Sequence, residues 1–272
     1  MKRLIITCLI AFLSAAVFSQ SVKSIGGVED PARIGSVRID SVRSLTGFVF
    51  DITYKNCKEI LANNPNATDG IYTIDPDGDG GDDPFDCNCD MMTDGGGWTL
   101  VLLSNASKSG CPRPYWNEVV NNVNLNGNMT DGLTAFDLFL GVKYWNLIGN
   151  RMRLDMGDSP ASLSHRAYYD FSLDDTNFYG LNMSNELISI HTEGTASSGM
   201  YEYHNGRPLS TRDADHDTYN GNCSNNYYES AWWYVSCYSG SFWGGGSETH
   251  EDAPYWTGSS AEYFNYGAIW IR

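Results

Sequence analysis

Basic residues are scarce in this 272-residue chain: 17 Lys and Arg stand against 33 Asp and Glu, for a formal net charge of −16. That balance excludes a broad phosphate-neutralising face, and with it a nucleic-acid partner. Long apolar runs are missing after the first one, Leu4 to Phe18, so nothing later supplies the roughly 20 residues a helix needs to cross lipid. From Ser21 to about Thr53 there are neither heptads nor a Gly-x-y repeat, which removes a coiled-coil or collagen stalk. Catalytic signatures are missing too. The histidines, His165, His191, His204, His216 and His250, are scattered, with no His-Glu-x-x-His pair, no Gly-x-Ser-x-Gly elbow and no phosphate loop. The sequence reads as a binding protein and not an enzyme; a hydrolase built on two of its many carboxylates is the catalytic alternative.

What is present begins with Met1-Lys2-Arg3 and the apolar run behind it, the pattern of a secretory signal peptide over residues 1–19. The expected organisation is then a short lead-in over 20–53 and one domain over 54–272, secreted to the extracellular space without a membrane span. Of seven cysteines, Cys8 leaves with the leader, and Cys57, Cys87, Cys89, Cys111, Cys223 and Cys237 remain. An even number in an exported protein points to three disulfides; zinc is the competing use, but Cys87-x-Cys89 has no second paired cluster with ligand spacing. Asn66, Asn105, Asn128, Asn182 and Asn222 open glycosylation triplets, which predicts a glycoprotein if the host is eukaryotic.

Along the sequence, Asn56 to Asn63 has the apolar spacing of a brief helix stopped by Asn64-Pro65. Gly70 to Ile74 alternates like a strand, Asp75 to Pro84 is a Gly- and Asp-rich turn, and Phe85 to Met91 returns, so a hairpin is predicted. The run Thr99 to Leu103 is a third strand; Arg151 to Met156, Ala167 to Phe171 and Leu187 to Ile190 are further ones, with one or two short helices between Tyr115 and Asn150. From Tyr201 onward Gly, Asn, Ser, Tyr and Trp dominate, and loops of that length need a disulfide or an ion to pin them. There is no internal repeat.

The most informative stretch runs from Asp213 to Cys223. In an irregular loop, residues two apart can aim oxygens at one centre, so the carboxylates of Asp215 and Asp217 and the carbonyls of Tyr219 and Gly221 form a candidate calcium shell. An acidic surface turn is the alternative. Asp75-Pro-Asp77-Gly-Asp79 also alternates acids, but it lacks a closing acid and fits a hairpin turn better than a metal loop. Beside the first loop lie Tyr227, Tyr228, Trp232, Trp233 and Tyr234. Trp232 and Trp233 fit a core, whereas Tyr227, Tyr228 and Tyr238 suit a pocket wall.

Asn56-Cys57-Lys-Glu-Ile-Leu, Gly70-Ile-Tyr-Thr-Ile with Asp75-Pro-Asp-Gly, and Cys89-Asp-Met-Met-Thr-Asp-Gly-Gly-Gly-Trp-Thr-Leu100 follow one another in an order that resembles the opening of a fibrinogen C-terminal (fibrinogen-related) domain. The match continues through Tyr203-His-Asn-Gly206, Leu209 to Asp217, Gly221-Asn-Cys223, Trp232-Trp233-Tyr234 and Cys237, spanning about Asn56 to Arg272. The resemblance implies an α+β fold with a central twisted antiparallel sheet and a loop-rich, calcium-binding C-terminal region. It implies calcium on Asp215, Asp217, Tyr219 and Gly221, and disulfides Cys57–Cys89 and Cys223–Cys237; Cys87 and Cys111 then pair by elimination. In ficolin-like and tachylectin-like members a pocket beside the calcium takes acetyl groups of sugars, and Tyr227 or Tyr228, Ser236, Cys237 and Tyr238 occupy that region here. Tyr238 stands where the family often has His, and the ending after Gly267 is short. The implied function is calcium-dependent, lectin-like recognition of acetylated sugars or glycans in innate recognition, with weak single sites gaining avidity in a homo-oligomer. The alternative is a protein-binding or matrix-adhesion module without sugar specificity.

Overall fold

The computed structural model describes residues 23–24, 37–38, 48–49, 51–105, 114–123, 133, 138–191, 200–228, 230–237, 240–241, 255–257 and 261–272. The expected leader, most of the lead-in, Cys111 and Tyr238 lie outside the described residues, and Tyr227 and Tyr228 are described in backbone alone. The protein divides into two compact units, residues 56–72 with 86–272 and residues 1–55 with 73–85.

Helix α1 (Cys57–Asn63) starts where the Asn56 side chain accepts the Glu59 N–H at 2.9 Å, a side-chain cap on an otherwise orphaned donor. The same Asn56 donates to the Ile148 carbonyl at 2.8 Å, tying the cap to a distant turn. The strands are β1 (Gly70–Ile74), β2 (Phe85–Asp90), β3 (Trp98–Asn105), β4 (Leu138–Phe139), β5 (Arg151–Ser159), β6 (Ser162–Asp174) and β7 (Gly180–His191). Three more, β8 (Gly240–Ser241), β9 (Tyr255–Thr257) and β10 (Ala261–Tyr263), form a small sheet in that order, and β11 (Tyr266–Ile271) follows. Helices α2 (Trp116–Asn121) and α3 (Trp145–Ile148) answer the expected short helices.

The main sheet has eight strands in the order β7-β6-β5-β11-β3-β2-β1, with β4 added to β3. Strand β11 lies between β5 and β3, antiparallel to both, although it follows them by more than a hundred residues. Every residue of β3 and of β11 is buried, which explains why these sequences run apolar without alternating: neither face meets water. This interior nonetheless contains a charge. Arg153 of β5 is 1 % exposed and sits with its guanidinium carbon 5.0 Å from the Trp98 ring and 4.8 Å from the Trp270 ring. It donates to Asp90 at 2.7 Å and Asp155 at 3.1 Å, and Asp155 also accepts from Arg166 at 2.6 Å. Although burial opposes ionisation of Asp90, the Thr93 N–H and Arg153 hold its carboxyl below the usual carboxylate range. Tyr168 donates to the Asp94 carboxylate, and burial with that bond pushes its phenol up to about 12.

In the smaller unit, Lys23–Ser24 pairs with Phe48–Val49 and Val37–Arg38 with Asp51–Ile52. Its 75–84 loop folds its acids back on itself: Asp75 accepts from the Gly78 N–H at 2.9 Å and Asp77 from the Asp82 N–H at 2.9 Å. Gly78 and Gly80 adopt φ of 72° and 86°, which a turn requires and side chains resist. This is the turn geometry that the sequence favours over a metal loop. Among the described residues no helix is long and apolar enough to cross a membrane.

Candidate functional site

Leu209, Ser210 and Thr211 are buried, and Ser210 bridges Trp232, so the acidic loop starts from a fixed edge. Thr211 and Ala214 exchange backbone hydrogen bonds at 2.8 and 3.2 Å, closing a tight turn. Within it Asp213 accepts from the Thr211 hydroxyl at 2.7 Å and from the Trp116 N–H at 2.8 Å, which ties the loop to α2. The His216 N–H donates to the Ser210 hydroxyl oxygen at 2.9 Å, and its Nδ1 lies 2.8 Å from the Leu209 carbonyl. A carbonyl only accepts, so Nδ1 carries the proton.

Asp215 is exposed and Asp217 half-buried two residues on, in one loop with Tyr219 and Gly221. The Asp217 N–H reaches Asp215 at 3.3 Å, while Asp217 accepts the Tyr219 N–H on Oδ1 and the Cys223 N–H on Oδ2, each at 2.8 Å. Burial raises the Asp217 pKa above the ordinary value, the two N–H groups oppose that, and the charge of Asp215 adds to it. Two carboxylates that repel across a loop would be relieved by a hard cation between them. Each carboxylate oxygen has two lone pairs, so the bonds already made leave acceptor capacity for an ion.

The loop's exit is fixed by the Cys223–Cys237 disulfide, with Cα atoms 5.1 Å apart. Close by in sequence, Trp232, Trp233 and Tyr234 are fully buried, the core role expected of the tryptophans. Trp233 donates to the Tyr179 carbonyl at 2.8 Å, and the Tyr234 hydroxyl lies 2.7 Å from the Ser230 hydroxyl. Of the expected wall, Ser236 is exposed and Cys237 is buried with a left-handed φ of 68°. Tyr227 and Tyr228 have their backbone in the helical turn Ser224–Tyr228, right behind Cys223.

One group has no counterpart in the sequence reading. The Phe178 ring, 49 % exposed, stacks on His216 at 3.7 Å; Trp116 meets His216 edge-on at 5.1 Å, and Tyr179 lies 6.2 Å from Trp116. Phe178 and Tyr179 both adopt left-handed φ, 50° and 53°, an unusual pair for bulky side chains. Contributed by three separate segments, the group has no sequence spacing to betray it.

The second disulfide, Cys57–Cys89, staples α1 to β2. Among the described residues Cys87 carries a free thiol, and Cys111, the partner that elimination gave it, lies outside them. Cys87 lies on the buried face of β2 against that disulfide, and burial drives its thiol pKa far up. Among the described residues, Cys57, Cys87 and Cys89 are the cluster of three ligand-type side chains within reach of one point, and with two of them joined to each other they do not offer zinc its ligands. Of the glycosylation triplets, Asn66 and Asn182 are exposed; Asn105 is buried in β3, and the Asn222 amide is engaged with the Thr211 carbonyl at 2.8 Å.

The sequence profile described as "Fibrinogen beta and gamma chains, C-terminal globular domain" matches residues 53–270. Chicken (Gallus gallus) tenascin is 30% identical over 227 residues, 81% of this chain and 11% of tenascin, so the protein spans about a tenth of that relative. Fibrinogen-like protein 1 of Mesocricetus auratus is 30% identical over 229 residues, covering 80% of this chain and 66% of that protein. Techylectin-5A of Tachypleus tridentatus is 29% identical over 211 residues, 74% of this chain and 67% of that one. Among solved structures, the fibrinogen-like globe domain of human ANGPTL2 superposes with a TM-score of 0.61 at 25% identity, over 80% of this chain and 98% of that one. A lamprey fibrin D-dimer with the peptide Gly-His-Arg-Pro-amide matches in fold at a TM-score of 0.61 and 22% identity, over 80% of this chain and 73% of that one.

Proposed function

The protein belongs to the family of C-terminal globular domains found in fibrinogen beta and gamma chains, and from that premise we propose that it is a secreted recognition module in which calcium, held by the 213–223 loop, organises a site for acetylated sugars or related glycans. The family consists of non-enzymatic binding modules whose relatives are extracellular, and its domains often bind calcium. The observation that carries the reading is the Asp215–Asp217 pair, with its raised Asp217 carboxyl and a disulfide at the loop's exit. Asp215 and Asp217 would hold the ion through carboxylates, and Tyr219 and Gly221 through carbonyls. Calcium would supply charge compensation to the loop, and Ser236, Cys237 and the sequence candidates Tyr227, Tyr228 and Tyr238 would be the residues that meet the ligand. The similarity to techylectin-5A, a lectin by name, supports glycan recognition. The half-exposed Phe178, His216 and Trp116 group favours a second reading, a protein partner docking beside the same loop. Calorimetric titration of calcium into the refolded protein and its Asp215→Ala variant, then of N-acetylglucosamine with and without calcium, tests both. Calcium heat lost in the variant, with sugar heat only when calcium is present, is the expected result. Calcium binding without sugar heat turns the site toward protein partners, and no calcium heat at all overturns the proposal.

A further inference from the structure

Strand β2 places Cys87 and Cys89 two residues apart, on one face, because strand side chains alternate with a period of two. Both are buried, as is Cys57 at the start of α1. Three sulfurs consequently share one dry volume: Cys87 Sγ lies 3.7 Å from Cys57 Sγ and 3.8 Å from Cys89 Sγ. Exchange requires the attacking sulfur in line with the bond that breaks, and a sulfur nearly equidistant from both ends lies side-on to it, so Cys87 is within reach of the disulfide but must rotate behind Cys57 before it can attack.

We propose that Cys57, Cys87 and Cys89 form an internal exchange site, in which Cys87 and Cys89 alternate as the disulfide partner of Cys57. The Cys87 thiolate attacks Cys57 Sγ, the Cys57–Cys89 bond breaks, and its electron pair leaves on Cys89, which takes up the proton that Cys87 gave away. One disulfide and one thiol exist before and after, so no oxidant or reductant is consumed. Attack on Cys89 instead would join residues i and i+2 of a strand, about 6.6 Å apart along its axis and near the limit for a disulfide. The Cys57–Cys87 isomer is therefore the alternative product. The step needs a thiolate, and burial, with Asp86 nearby, disfavours that form of Cys87. In the packed domain the pairing is accordingly locked, and exchange is confined to alkaline conditions or to the loosened states passed through during folding.

Labelling the thiols of the purified full-length protein with N-ethylmaleimide in mildly acidic denaturant, followed by digestion and fragment mass spectrometry, distinguishes the isomers. The expected starting material carries label on Cys87 and a Cys57–Cys89 bond. Incubation without added thiol at stepped pH up to about 10 should produce a second species, labelled on Cys89 with a Cys57–Cys87 bond. Its rate of appearance should rise about tenfold per pH unit, as the thiolate fraction does below the thiol pKa. The species should persist in a Cys111→Ser variant and be absent in Cys87→Ser, and a Cys89→Ser variant refolded with oxidised glutathione as the electron acceptor should form Cys57–Cys87. A native Cys87–Cys111 bond, label confined to Cys87 at every pH, or exchange that disappears with Cys111 would each overturn the proposal.

Discussion

At Asp217 two backbone N–H groups fix the carboxylate while burial and Asp215 push its pKa up. A carboxyl raised in the folded state contributes stability that is fully present below its unfolded pKa and is lost as pH rises through the folded one. Without calcium, the stability difference between the unchanged protein and Asp217→Asn should therefore shift against the unchanged protein as pH rises just above the ordinary carboxylate range. Calcium takes the ionised form, so its affinity should weaken on acidification in that same window. Titrations at stepped pH read both, and an affinity that stays level down to pH about 4 would place the ionisation elsewhere. Arg153 behaves in the opposite sense through Asp90, whose carboxyl is held low by the Thr93 N–H and by Arg153 against the effect of burial. That contribution is present above the unfolded carboxylate value and is lost as pH falls through the depressed one. Arg153→Met leaves the half-buried Asp90 without its cation and the buried Asp155 with Arg166 alone, and should cost about 3 kcal/mol in urea unfolding. A cost under about 1 kcal/mol would mean that stacking between Trp98 and Trp270, and not ion pairing, holds the site.

Among the elements, the loop closed by Cys223 and Cys237, fourteen positions apart, is the one that would join stability to the proposed function. A loop of that size gains about 3 kcal/mol from its bridge in the chain-entropy account. Replacing both cysteines by serine should lower the unfolding free energy by about that amount and weaken calcium on the order of tenfold, because the Cys223 N–H no longer reaches Asp217 from a fixed place. A variant that loses stability but keeps its calcium affinity would separate the bridge from the ion. How legible these elements are in sequence depends on their surroundings. The hairpin of β1 and β2, helix α1 with its Asn56 cap, and strands β5 to β7 all carry local signals, from alternation to Asn-Pro and Gly-Asp punctuation. Strand β11 carries none: all six of its residues are buried, and a short continuous apolar run has no period from which to tell strand from buried helix. The aromatic group on the 213–217 loop is equally hidden, since α2, the β6–β7 turn and that loop meet only in three dimensions.

Over the whole molecule, a formal charge of −16 makes the surface a reservoir for cations. Calcium affinity should fall as sodium chloride is raised from about 0.01 to 0.15 M, since the Debye length shrinks from about 30 to 8 Å; a salt-independent affinity would locate the attraction wholly within the 213–223 loop. The fold itself is readable because its motifs stand in fixed order from Asn56 to Arg272, and the profile match over 53–270 covers the same span. The ligand is not readable in that way, because a serine and a few tyrosine hydroxyls do not encode which sugar or peptide they meet. A last consequence follows from the place of β11 in the middle of the sheet. A ribosome makes this strand after every other strand described, so during synthesis β3 and β5 wait as two exposed edges with no mate. The sheet is completed by insertion, as a keystone completes an arch, and a stop codon before Tyr266 would yield two unjoined half-sheets in need of a chaperone instead of a slightly shortened domain.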